Sequence, residues 1–137
     1  MKKVFYTGTA LIFFSCNGIK TKKAADICID SKYPQQIEAI SFNDIKSIKK
    51  LNGSFVQMEG FFHYNFEDVA LYPSKSSDVT EAIWLNLAKD VEKREKDLEA
   101  LNNKNIIVIG KIDITKRGHF NAYIATLDSA FCIKAIK

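Results

Sequence analysis

The pattern that most restricts this chain begins at Ser54, where apolar residues start to recur at every second position. Val56, Met58, Gly60 and Phe62 fall on one side of an extended segment, and Gln57, Glu59, Phe61 and His63 fall on the other. That period belongs to a strand with one packed face. After a turn at 65–68, a second strand is predicted over 69–72, with Val69 and Leu71 on its inner face. Residues 73–77 read as a loop. A third strand over 82–87 puts Ile83, Leu85 and Leu87 on one face. Residues 90–101 are rich in Lys, Glu, Leu and Ala, all strong helix formers. Val91, Leu98 and Leu101 give that helix a narrow apolar stripe, and Glu92 and Lys96 stand at the favourable i, i+4 spacing. Strands are expected again over 106–114, 120–127 and 131–136. Ahead of all of these, Phe42, Ile45, Ile48 and Leu51 recur at helical spacing, with Ser41 as N-cap and Asn52-Gly53 as the stop.

Three strands, a helix and two or more further strands follow the order of the OB-fold. The stretches LNGSFVQMEGFF and LNNKNIIVIGKIDI resemble the openings of barrel strands one and four in small bacterial OB-fold proteins, over residues 51–136. The resemblance implies a mainly β domain with helices: a five-stranded Greek-key barrel, a helix between strands 3 and 4, and an extra N-terminal helix. Gly60 and Gly110 fall inside the first and fourth strands, where a small barrel must bend sharply.

The beginning of the chain has a different character. Lys2 and Lys3 precede residues 4–14, which are apolar apart from Thr7, Gly8 and Thr9. This run is too short to cross a bilayer, which takes roughly 20 residues, but it fits the core of a secretory signal. Ser15-Cys16 then resembles a lipobox, the pattern read by lipoprotein signal peptidase, although Phe13 stands where leucine is usual. The resemblance implies cleavage before Cys16 and acylation of that cysteine with palmitate-type chains, two or three of which anchor stably to a membrane. The chain thus divides into a signal peptide over 1–15, lipidated Cys16 with a polar tether over 16–26, and one barrel domain over 27–137. No acidic run follows Cys16, which favours a periplasm-facing protein of the cell envelope.

Loss of Lys2 and Lys3 lowers the formal net charge from +4 to +2. So mild a charge argues against nucleic acid as the partner. With Cys16 taken by lipid, Cys28 and Cys132 remain, either bridged across the domain or held as two buried thiols.

No nucleophile elbow, phosphate loop, CxxC pair or His-Glu-x-x-His occurs, so the chain reads as non-enzymatic and without a cofactor. His63 and His119 fall near the loops joining strands one to two and four to five. The first loop carries Glu67 and Asp68, the second Lys116 and Arg117. One reading is a metal site of His63, His119 and Glu67. The other, favoured because the spacing is not specific to a metal, is an ion pair from Glu67 or Asp68 to Arg117 or His119 that ties the loops together. Tyr72 and Trp84 fall on the outer faces of strands two and three, a stacking platform rimmed by Lys75 and Arg117 for a glycan or protein partner. Alternatively, Phe42, Ile45 and Ile48 cover that platform. The expected function is a membrane-anchored binding or accessory domain; a metal-dependent activity and a structural subunit of an envelope complex are the alternatives.

Overall fold

The computed structural model describes residues 26–29 and 33–136. The expected signal peptide, Cys16 and nearly all of the expected tether lie outside the described residues. Seven strands follow: β1 (Ile27–Cys28), β2 (Glu38–Ile40), β3 (Phe55–Asn65), β4 (Asp68–Tyr72), β5 (Ile83–Leu87), β6 (Asn105–Asp113) and β7 (Thr126–Ala135). Between β5 and β6 lie two short helices, α1 (Lys89–Glu92) and α2 (Glu95–Leu101). Five strands close a barrel. β3 pairs antiparallel with β4 and β6, β4 with β5, and β6 with β7, while β5 runs parallel to β7. β1 joins β7 and β2 joins β3 outside this ring. The domain is therefore mainly β and OB-like, with its helices between the third and fourth barrel strands, as the element order predicted.

The alternation read from the sequence is the alternation of the wall. Val56, Met58 and Phe62 of β3 are fully buried and meet Leu71, Ile83, Leu85, Ile106, Val108 and Leu127 in one cluster. Each such side chain contributes about 1.5–3 kcal/mol by leaving water. Ile48, from a ten-residue 3-10 segment at Phe42–Leu51, joins the same cluster. Gly60 precedes the residue at which β3 changes partner, since Phe61 pairs with both Asn105 and Tyr72. A methyl group at 60 would lie 2.6 Å from the Tyr72 carbonyl oxygen, so the bend needs a residue without Cβ. Gly110 sits where the β6–β7 register slips between Ile109 and Lys111.

Three expectations are corrected. The helix over 90–101 is broken, because Arg94 leaves the helical region at φ −91, ψ 42. Glu92 and Lys96 then no longer face each other across one turn; Lys93 pairs with Asp90 and Arg94 with Asp97 instead. The extra N-terminal helix is present, over Phe42–Leu51, but it is wound as a 3-10 helix, and Ser41 gives it no side-chain cap because its hydroxyl donates to Asp44 Oδ2 at 2.8 Å. The strand expected from residue 120 starts only at Thr126: His119–Asn121 is a tight turn with Phe120 and Asn121 both at φ 54. The last two expected strands are in fact one, β7, with Ser129 at φ 50 where its register slips against both β5 and β6.

Cys28 stands opposite Cys132 in the β1–β7 pair, and the two form a disulfide with a sequence separation of 104. The bridge is thus formed, and the alternative of two thiols falls.

Candidate functional site

The β3–β4 hairpin pairs Asn65 with Asp68 around the two residues Phe66 and Glu67. This places the Asp68 carboxylate at the start of β4, on the same outer side as Tyr72 four residues later. Asp68 is a shared acceptor. Tyr72 donates its hydroxyl to both oxygens at 2.9 and 3.0 Å, and Tyr123 donates at 2.8 Å from 55 residues away. His63 Nδ1 lies 2.8 Å from Asp68 Oδ2; a carboxylate only accepts, so Nδ1 carries the proton. The His63 ring also packs on Tyr72, with centroids 4.2 Å apart. Burial, and then the Asp68 carboxylate, push both phenols well above their ordinary 10.0, which keeps them as donors.

This cluster decides the fate of the expected platform. Tyr72 does point out of the barrel, but it is only 5% exposed and is no stacking surface. Its cover is not the one foreseen: Tyr123 and Ala122 pack with Tyr72 in a second, smaller cluster outside the barrel, whereas Ile48 belongs to the barrel core. The side chain of Ile45 lies outside the described residues. The two loops are indeed tied through Asp68, but to Tyr123 and not to Arg117 or His119. Arg117 instead donates from Nε to the Tyr123 carbonyl at 2.8 Å.

Trp84 has different surroundings. It points outward from β5, half-buried, with its ring edge-on to Tyr123 at 5.2 Å, and it forms the wall between two clefts. The smaller, about 450 Å³, is bounded by Lys116, Arg117, Gly118 and His119. Gly118, at φ +63, brings this loop so close that a methyl there would lie 2.6 Å from Tyr123 and 2.7 Å from Trp84. Lys116 is held 3.6 Å from both Asp113 and Asp128. The larger cleft, about 560 Å³, is bounded by Tyr64, Phe66, Leu87 and three glutamates of α1 and α2. Lys75 is exposed in the loop after β4 and borders neither cleft, so only Arg117 of the expected rim stands beside Trp84.

The residues of the metal reading are dispersed. His63 is bonded to Asp68, Glu67 is exposed at the hairpin tip, and His119 is exposed on the β6–β7 loop. Among the described residues no three His, Cys, Asp or Glu side chains come together in a way that holds a metal ion.

No protein-family model, curated protein or solved structure matches this chain. Its site is read from its own geometry. Sequence reasoning missed Tyr123, Tyr64 and Phe66. Asp68 and Tyr72 share a strand face at a spacing of four, which was a usable signal; nothing local marks Tyr123 as their partner.

Proposed function

We propose that this chain is a lipid-anchored lipoprotein of the cell envelope, facing the periplasm, whose OB-like barrel is a non-enzymatic binding or accessory domain. The observation that carries this reading is the Cys28–Cys132 disulfide. Such bonds persist in oxidising compartments, where exported proteins reside. It accounts for two of the three cysteines, and the third is Cys16, at the end of the apolar stretch and in the lipobox-like context. The exposed part of Trp84 between its two clefts supports a binding role, and the mild net charge points to a glycan or protein rather than nucleic acid.

The test is metabolic labelling of producing cells with an alkyne analogue of palmitate. The wild-type chain should take up label, lose its first 15 residues and sediment with membranes. Cys16→Ser should remain unlabelled and unprocessed. An unlabelled wild-type chain, or equal labelling of Cys16→Ser, would overturn the proposal.

A further inference from the structure

The larger cleft beside Trp84 exists because the barrel wall parts there. The β4–β5 ladder has only two registered pairs, Leu71 with Ile83 and Ala70 with Trp84, although the strands run on to Asp68 and Leu87. The gap, about 560 Å³, has the rings of Trp84 and Tyr64 on its walls and Phe66, 98% exposed, on its rim. Its remaining side is acidic. Glu92, Glu95 and Glu99 are exposed at spacings of three and four along α1 and α2, and among the described residues none of them is in an ion pair. Of the neighbouring cations, Lys93 is engaged by Asp90 and Arg94 by Asp97, while Lys96, next to Glu95, is in no ion pair among the described residues. The field of these carboxylates is felt inside the cleft: the Tyr64 phenol is pushed up, first by burial and then by Glu95, Glu92 and Glu99.

We propose that this cleft takes a lysine or arginine side chain from an extended peptide segment of a partner protein. The aliphatic stem of such a side chain packs against the aromatic walls while its head reaches the carboxylates. An anionic ligand meets the three carboxylates of Glu92, Glu95 and Glu99. A polyamine is cationic along its whole length and, on crossing Trp84, runs into the Arg117 guanidinium of the smaller cleft. A peptide can offer one basic side chain to the acidic side alone. The inference names a ligand for the binding domain proposed above and rests on that reading, but its test reads only the cleft and is independent of acylation.

Trp84 is the sole tryptophan, so intrinsic fluorescence reports directly on the site. The full-length protein in detergent micelles is titrated with acetyl-Ala-Lys-Ala-amide and its arginine counterpart, with the glutamate peptide and spermidine as controls. The basic peptides should shift Trp84 emission saturably, with a Kd on the order of 1 mM or tighter, and the glutamate peptide should not. The combined variant Glu92→Gln, Glu95→Gln, Glu99→Gln should bind about tenfold more weakly, as loss of charge-assisted contacts requires, with an unchanged circular-dichroism spectrum. A flat response to both basic peptides would overturn the proposal. So would an equal response to the glutamate peptide, undiminished binding by the variant, or tighter binding of spermidine than of either peptide.

Discussion

Tyr72 and Trp84 stand on neighbouring strands of the barrel wall and both point away from its core, but their surroundings differ sharply. Tyr72 is sealed under Tyr123 with its hydroxyl on Asp68. Trp84 keeps part of its ring between two clefts, one lined by three glutamates and the other by Lys116 and Arg117. The difference comes from one carboxylate. Asp68 is within reach of two phenols and one imidazole, and a partly buried charge-assisted network of that kind holds the groups that join it. Direction relative to the barrel says which side of the wall a residue occupies; a polar partner from a distant segment decides whether that side is still surface.

The largest expected effect is at the centre of the network. Asp68→Ala leaves two buried hydroxyls without their acceptor and should lower the unfolding free energy in urea by about 3 kcal/mol. A loss below about 1 kcal/mol would mean that Tyr72 is not held by Asp68, and the contrast with Trp84 would collapse. Gly118→Ala should cost about 2 kcal/mol and also move Trp84 emission. Its methyl presses on both Tyr123 and Trp84 at a positive φ, so one substitution disturbs both regions. Tyr123→Phe removes one of the bonds to Asp68 and should cost about 1–2 kcal/mol, with no change in Trp84 emission beyond that from the altered edge contact.

A pH titration sharpens the same contrast. Tyr72 and Tyr123 have raised pKa values in the folded state, so the unfolded chain ionises first as pH climbs past 10.0. Their contribution to stability is complete below that pH and declines as pH rises above it. Urea midpoints should fall above pH 10.0, and the double variant Tyr72→Phe, Tyr123→Phe should show a shallower fall. An identical slope would remove these tyrosines from the titration. The smallest effect is expected at the other aromatic, where Trp84→Phe should cost under about 1 kcal/mol in the same urea assay. A cost matching that of Asp68→Ala would make Trp84 as structural as Tyr72.

Much of the barrel was legible because its signals are local. The alternation from Val56 to Phe62, Gly60 and Gly110 within their strands, and the Asn65–Asp68 hairpin all appear where the chain itself puts them. The failures arose where a distant contact or an unusual backbone prevailed. Phe120 and Asn121 take left-handed backbone angles that nothing around them signals, so the sequence offered no reason to start the strand later, at Thr126. The slip at Ser129 made one strand look like two. β1 and β2 are two and three residues long, too short to show a period, and exist only through β7 and β3. At the site, Trp84, Arg117 and Asp68 were identified as outer or loop residues, but the alliance of Asp68 with Tyr123 depends on how the β6–β7 loop folds back. The acidic side of the larger cleft gave no signal of its own, since nothing in the helix itself says that the wall beside it parts.

The disulfide also sets how the domain would respond to tension. β1 is only two residues long, and a pull on the chain ahead of Cys28 would otherwise peel it from the sheet one hydrogen bond at a time. Because Cys28 is joined covalently to Cys132, the force passes straight to β7, which is paired with β1, β5 and β6. Extraction then requires several ladders to shear together. A pull on the N-terminal side of the domain would thereby be borne by the strand most deeply woven into its fold.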